Sequence, residues 1–151
     1  MVPVSPAGQD QPGTPLSRPR GDVTLPRRGP RTPTVLLAED EPVMRKLLEE
    51  ALRDGGYTVL SAPLAPDALA LANAHDGPID LLVTDMAMPG MSGRELAEQL
   101  FTKRPRLKIL YISGYVADEA VGGRLGWQGA AFLMKPFTTD AFLAQVRALL
   151  H

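Results

Sequence analysis

Cysteine is absent from the 151-residue sequence, which excludes disulfide bonds, thiolate metal sites and cysteine nucleophiles. Long apolar runs are also absent: none approaches the ~18 residues that a membrane-spanning helix needs, and the N-terminus lacks the apolar core of a secretion signal. Neither sign of charge dominates, since the net charge is −1, so the overall balance attracts neither nucleic acid nor a membrane surface. We therefore expect a cytoplasmic protein without a nucleic-acid or membrane partner.

The first 33 residues are rich in proline and poor in apolar residues that could pack together. They hold 8 of the chain's 15 prolines and carry five arginines against two aspartates, a charge of +3, which leaves −4 for the remainder. Such a segment buries too little surface to offset its ordering entropy. We expect residues 1–32 to form a disordered tail or linker, rather than a basic arm that touches nucleic acid. Residues 33–151 are expected to form one folded domain.

From Thr34 onward, short strand patterns alternate with helix patterns. The five predicted strands are TVLLAE, YTVLSA, IDLLVTD, LKILYIS and AAFLMK, and the five predicted helices are PVMRKLLEEALRDGG, PDALALANAH, SGRELAEQLFTKR, VADEAVGGRLG and TTDAFLAQVRALL. Pro42, Pro66 and the capping box of Ser92 and Glu95 indicate where helices begin. The alternation predicts an α/β fold with a doubly wound, five-stranded parallel sheet and helices on both faces.

Polar residues stand where the predicted strands end. Glu39 and Asp40 follow the first strand, Asp85 ends the third, Ser113 ends the fourth and Lys135 ends the fifth. In an open parallel sheet these carboxyl ends lie together and form the ligand crevice. Clustered carboxylates repel one another unless a cation is present, and hard oxygen ligands suit Mg²⁺, which often shares a phosphate. A metal, a lysine, a hydroxyl and a carboxylate nucleophile are the groups needed to transfer a phosphoryl group onto an aspartate.

Four segments, LLAEDEP, LLVTDMAMPGMSG, YISGY and FLMKPF, fall in order on the ends of the predicted strands. They resemble the four signature segments of the response-regulator receiver domain, and the resemblance extends from Thr34 to Leu150. It implies a flavodoxin-like fold with strand order 2-1-3-4-5. It also implies a two-component phosphorelay protein that accepts a phosphoryl group from a sensor histidine kinase or phosphotransfer protein. Such a protein is not an enzyme, although it assists its own phosphorylation and dephosphorylation.

The resemblance implies a role for each residue of the acidic cluster. Asp85 is the expected phosphoacceptor. Glu39 and Asp40 are the expected acidic pair that holds Mg²⁺, together with Asp85 and the backbone carbonyl of Ala87. Glu41, by contrast, is expected to be an N-terminal acid of the first helix rather than a metal ligand.

The resemblance also implies that a second group of residues responds to phosphorylation. Lys135 is the expected partner of the phosphoryl group, and Ser113 is the expected switch hydroxyl. Phe132 occupies the position of the switch aromatic, where the family often carries a tyrosine. We also predict a cis peptide bond between Lys135 and Pro136, because Lys135 must point into the acidic cleft while Phe137 turns back into the apolar layer.

Three other functions are compatible with an α/β sheet that carries an acid. A hydrolase of the haloacid-dehalogenase type also uses an aspartyl nucleophile, in the motif DxDxT. In this sequence Ala87, two residues past Asp85, stands where the general acid of that motif would be. A flavodoxin-like cofactor binder needs a phosphate-cradling loop after the first strand, where the acids would repel phosphate. A pseudo-receiver that serves only as an interaction module would not need the complete set of site residues. Because only His151 follows the last predicted helix, we expect a stand-alone receiver or the terminal receiver of a hybrid kinase.

Overall fold

The computed structural model describes residues 31–114 and 130–151 of the chain. The chain divides into two units, Met1–Arg31 and Thr32–His151, and the second contains every element named below. The predicted tail of residues 1–32 lies almost entirely outside the described residues, and the predicted helix VADEAVGGRLG lies wholly outside them. The boundary of the folded domain therefore stays a prediction.

Strands and helices alternate in residues 31–114, as predicted, and a strand followed by a helix occupies residues 130–151. The strands are β1 (Thr34–Ala38), β2 (Thr58–Ala62), β3 (Leu81–Asp85), β4 (Lys108–Ser113) and β5 (Ala130–Met134), and the helices are α1 (Pro42–Asp54), α2 (Ala65–Ala74), α3 (Gly93–Lys103) and α4 (Thr139–Leu150). Over these residues, no helix has the length and apolar character that crossing a membrane requires.

All strand pairings in the sheet are parallel, and the strand order is β2-β1-β3-β4-β5. This confirms the predicted topology. The central strands β1 and β3 are buried along their whole length, and β4 is buried after its first residue, whereas the edge strands β2 and β5 are partly exposed. Central strands of a parallel sheet are covered on both faces, so their sequences are almost uniformly apolar.

Two apolar layers flank the sheet, because successive side chains of a strand point to opposite faces. Leu36 and Ala38 of β1 belong to the layer that contains the buried residues of α2 and α3. Val35 and Leu37 of the same strand belong to the layer that contains those of α1 and α4. The helices therefore cover both faces, and the strand order reverses beside β1, where the carboxyl ends of β1 and β3 form a crevice.

Side-chain caps set the start of two helices next to that crevice. The Glu41 carboxylate accepts a hydrogen bond of 2.7 Å from the Met44 amide, and Pro42 occupies the first turn of α1. The predicted capping box opens α3: Ser92 Oγ accepts from the Glu95 amide at 3.1 Å, and Glu95 Oε1 accepts from the Ser92 amide at 2.9 Å. The predicted capping box and the predicted place of Glu41 at the N-terminus of α1 are both confirmed. The Glu41 carboxylate is hydrogen-bonded to the backbone of the first helical turn.

Candidate functional site

The ends of four neighbouring strands bring the predicted polar residues to one edge of the sheet. Glu39 directly follows β1, Asp85 ends β3, Ser113 ends β4 and Lys135 directly follows β5. The Lys135 amide donates a hydrogen bond of 2.8 Å to the Ser113 carbonyl, which continues the pairing of β4 and β5 past the last strand residue. The sheet thus assembles residues that are far apart in the sequence.

Three carboxylates form a tight cluster at this edge. One oxygen from each of Glu39, Asp40 and Asp85 lies within 4.8 Å of the other two. Glu39 is fully buried and Asp85 is 6% exposed. Burial raises the pKa of Glu39 to about 7; the backbone amide of Glu41 opposes the rise, and the negative charge of Asp85 adds to it. The cluster therefore holds more negative charge than its own hydrogen bonds stabilise.

The donor atoms of this cluster fit a divalent cation. Glu39 Oε2 accepts a hydrogen bond of 3.1 Å from the Glu41 amide, but Glu39 Oε1 is buried and has no hydrogen-bond partner in residues 31–114 or 130–151. A buried carboxylate oxygen without a partner costs free energy that a ligated cation would recover. Three hard carboxylate ligands are the type that Mg²⁺ prefers.

Both oxygens of Asp85 are held in place. Lys135 Nζ lies 2.8 Å from Asp85 Oδ2, and the Ala87 amide donates a hydrogen bond of 2.9 Å to Asp85 Oδ1. Burial alone would lower the pKa of Lys135, but its hydrogen bond and ion pair with Asp85 outweigh this effect, so the pKa is raised and the ammonium stays protonated. The peptide bond between Lys135 and Pro136 is cis, the isomer expected from the sequence.

The residues expected to act as a switch lie on β4, which pairs with the strand of Asp85, and on β5, the next strand in the sheet. Ser113 is fully buried at the end of β4. Phe132 is half-buried on β5, and its register partner on β4 is Tyr111. The rings of Phe132 and Tyr111 are stacked, with centroids 5.0 Å apart. Ser113 and Phe132 therefore lie on adjacent strands near the same edge of the sheet as Asp85.

A family model for the response regulator receiver domain matches residues 35–147. The chain belongs to this family. It is a receiver domain of two-component systems, and its five-stranded sheet has the strand order expected for the receiver fold.

Two curated relatives and one solved structure illustrate the relationship. The sensor kinase CckA of Brucella abortus is 34% identical over 118 residues, which are 78% of this chain and 12% of CckA. The response regulator receiver protein CpdR of the same organism is 34% identical over 77% of this chain and 95% of CpdR. The crystal structure of the response regulator TrrA of Thermotoga maritima, in complex with Mg²⁺ and BeF, is 29% identical with a TM-score of 0.69, and the match covers 79% of this chain and all of TrrA. The chain spans about half the length of several other curated relatives.

Gly93, at the start of α3, is a site residue that the sequence did not reveal. A Cβ atom added to Gly93 would collide with the carbonyl oxygen of Asp85 and would lie 2.9 Å from Thr84 Oγ1. The helix start thus packs directly against the backbone of the expected phosphoacceptor. A signal was present, because glycine is a poor helix former and its place in a first helical turn can indicate a close backbone approach.

Arg45 is a second contact that the sequence did not indicate. Its Nη1 atom donates a hydrogen bond of 2.9 Å to the backbone carbonyl of Glu39, so α1 supports the loop that carries the acidic pair. No motif placed an arginine on this carbonyl, because the contact depends on how the first turn of α1 returns toward the end of β1.

Proposed function

We propose that this receiver accepts a phosphoryl group on Asp85 from a sensor histidine kinase or a phosphotransfer protein, in a reaction that requires Mg²⁺, and that phosphorylation changes its conformation. The observation that carries the proposal is the placement of the Asp85 carboxylate. It lies in a cluster of acids and contacts the protonated ammonium of Lys135 at 2.8 Å. A carboxylate held beside a fixed cation in a crevice has the surroundings that an incoming phosphoryl group requires.

The proposed transfer moves one phosphoryl group between two side chains. The bond between phosphorus and the imidazole nitrogen of the donor breaks, and its electron pair returns to the imidazole. A new bond forms between phosphorus and one carboxylate oxygen of Asp85. Lys135 is placed to pair with the phosphoryl oxygens, and the Ala87 amide orients the carboxylate through its hydrogen bond to Oδ1. Lys135 and the Ala87 amide thus position the acceptor, and in this way the receiver assists the transfer. The phosphoryl donor is supplied by another protein.

Glu39, Asp40 and Asp85 are the residues that we propose hold Mg²⁺, with the backbone carbonyl of Ala87 as a further ligand. The metal would supply positive charge that offsets repulsion between the carboxylates and an incoming phosphate. The proposal is supported by the unpartnered Oε1 atom of Glu39, by the clustering of the three carboxylates and by the complex with Mg²⁺ and BeF in the TrrA structure.

The direct test is phosphorylation by a small donor. Wild-type protein incubated with acetyl phosphate and Mg²⁺ is expected to gain one phosphoryl group, detected by intact mass, and to gain none when a chelator removes the metal. Transfer from a panel of phosphorylated histidine kinases would then identify the natural donor. A protein that stays unmodified with every donor would be a pseudo-receiver instead, and a protein that steadily hydrolyses the donor without accumulating phosphate would be a hydrolase.

Replacing Asp40 with alanine is expected to weaken Mg²⁺ binding about tenfold, equivalent to ~1.4 kcal/mol, because one of the charged ligands is lost. Titration of Mg²⁺ measured by calorimetry tests this. Glu41→Ala is the matched control: it removes the neighbouring acid, which caps α1 through the Met44 amide. That variant should lose ~1 kcal/mol of stability and keep its Mg²⁺ affinity. Equal Mg²⁺ affinities for Asp40→Ala and wild type would show that the acidic pair is assigned wrongly.

We also propose that residues 33–151 are the folded receiver and that residues 1–32 do not contribute to its stability. The first contacts of the receiver support this boundary, since the Pro33 carbonyl accepts from the Thr58 amide at 3.0 Å and the Thr34 amide donates to Asp80 Oδ2 at 2.7 Å. Deleting residues 1–30 keeps both contacts and is expected to change the melting temperature by less than ~2 °C. A larger decrease in thermal unfolding experiments would show that the deleted segment stabilises the receiver.

A cytoplasmic location is part of the proposal. Histidine kinases take their phosphoryl group from ATP, so the acceptor must be in the compartment that holds ATP. The absence of cysteine is compatible with a reducing compartment.

A further inference from the structure

Tyr111 lies in the interior between the expected switch residues and α3. It is on β4, two residues before Ser113, so the two side chains point to the same face of the sheet. Its exposure is 0%, and it belongs to the apolar layer that includes Leu96 and Leu100 of α3. Tyr111 therefore connects the strand that carries the switch hydroxyl with the helix that follows the phosphoacceptor.

The hydroxyl of Tyr111 is buried and has no hydrogen-bond partner among the described residues. A buried polar atom without a partner destabilises the state in which it occurs, and phenylalanine would fill the same space without that penalty. Burial also raises the pKa of Tyr111, with the charge of Glu98 adding to the rise and that of Arg94 opposing it. The hydroxyl therefore remains protonated and available as a donor near neutral pH.

The ring of Tyr111 is coupled to the expected switch aromatic. Tyr111 and Phe132 are direct register partners on β4 and β5, and their rings are stacked at 5.0 Å with an angle of 25° between the planes. Rings at this separation are in contact, so Phe132 cannot change position without uncovering or displacing the ring of Tyr111. Phe132 has no hydroxyl of its own, which leaves Tyr111 as the member of the pair that can form a hydrogen bond.

We propose that Tyr111 is a positioning residue of the switch, whose hydroxyl lacks a partner in the resting receiver and gains one beside α3 when Asp85 is phosphorylated. Glu98 of α3 is an exposed residue whose carboxylate is a hydrogen-bond acceptor, and a shift of α3 toward β4 would bring it to this hydroxyl. A phosphorylated state in which the hydroxyl has a hydrogen-bond partner is favoured over a resting state in which it has none. A shift of population between two states requires such a difference in interaction free energy. The inference rests on the proposed function, because it assumes that Asp85 takes the phosphoryl group.

The test compares two tyrosine-to-phenylalanine variants in two states of the full-length protein. Melting temperatures are measured with Mg²⁺ alone and with Mg²⁺ plus beryllofluoride, which places a phosphoryl-like group on a carboxylate. Tyr111→Phe is expected to melt at or above the wild-type temperature with Mg²⁺ alone, and its increase on adding beryllofluoride should be about 3 °C smaller than that of wild type. Tyr57→Phe is the matched control, since Tyr57 is a buried residue whose hydroxyl has a partner, His151 Nε2 at 3.3 Å. Removing that hydroxyl should lower both melting temperatures equally.

The outcomes separate this inference from the proposed function. A wild-type protein whose melting temperature does not respond to beryllofluoride would overturn the proposed function and the inference with it. A wild-type response that Tyr111→Phe reproduces in full would overturn the role of Tyr111 alone. So would a decrease in the melting temperature of Tyr111→Phe with Mg²⁺ alone, because it would show that the hydroxyl already has a partner in the resting state. A smaller beryllofluoride response in Tyr111→Phe, with an unchanged response in Tyr57→Phe, supports the proposal.

Discussion

Replacing Asp85 with asparagine is expected to abolish phosphorylation by acetyl phosphate. The amide has nearly the shape of the carboxylate, but it is uncharged and a poor nucleophile, so no stable bond to phosphorus can form. The substitution also removes one of three carboxylates whose oxygens lie within 4.8 Å of one another. Lower repulsion in the cluster offsets the lost ion pair with Lys135, so the variant should fold and melt close to the wild-type temperature. Intact mass spectrometry after incubation with donor and Mg²⁺ measures the result.

Asp76→Asn is the control for this experiment, since Asp76 is an exposed residue of the loop between α2 and β3. That variant should accept the phosphoryl group as fast as wild type. Peptide mapping of the modified wild-type protein should place the phosphoryl group on Asp85. If Asp85→Asn became fully modified, the acceptor would have to be another residue, and the assignment of the whole cluster would be wrong.

The second large effect is expected from Gly93→Ala. The new Cβ atom would collide with the carbonyl oxygen of Asp85, and the obstructing atom belongs to the backbone of a buried strand end. Either α3 or the end of β3 must shift. Overpacking of this kind costs up to ~3 kcal/mol, which corresponds to a decrease of ~10 °C in the melting temperature of a domain of this size. The variant should also accept phosphate more slowly, because the displaced backbone carries the acceptor.

Gly114→Ala provides the matched comparison, because a Cβ atom at Gly114 would meet no atom of the described residues within 4 Å. Its melting temperature should stay within ~2 °C of the wild-type value. Thermal unfolding followed by circular dichroism measures both variants under the same conditions. If Gly93→Ala and Gly114→Ala had the same melting temperature, the start of α3 would have room to move away from Asp85. Gly93 would then not be a determinant of the acceptor's position.

Much of the fold was predictable because its signals are local. The alternation of apolar strand runs with helix patterns, the prolines at helix starts and the capping box of Ser92 and Glu95 each depend on neighbours within a few residues, and the observed elements agree with them. The expectation that Glu41 is an acid at the N-terminus of α1 has the same origin. The strand order did not follow from these local signals; it came from the resemblance of the four segments to a known family.

The sequence by itself determined which residues stand at the strand ends: Glu39, Asp40, Asp85, Ser113 and Lys135. This was possible because a parallel sheet gathers the carboxyl ends of its strands at one edge, whatever their separation in the chain. Only the tertiary structure decided how these groups meet. The 2.8 Å contact between Lys135 and Asp85 joins residues 50 positions apart, and no local pattern encodes such a distance.

Close packing accounts for the other features that only the tertiary structure determined. Three such features are the lack of space at Gly93, the stacking of Tyr111 on Phe132 and the buried oxygen of Glu39, which has no partner in the part of the chain that the structure describes. Each depends on how one element rests against another. A sequence pattern specifies the face that a residue occupies. The free volume, the hydrogen-bond partners and the desolvation at that position are set by atoms from distant parts of the chain, within tenths of an ångström.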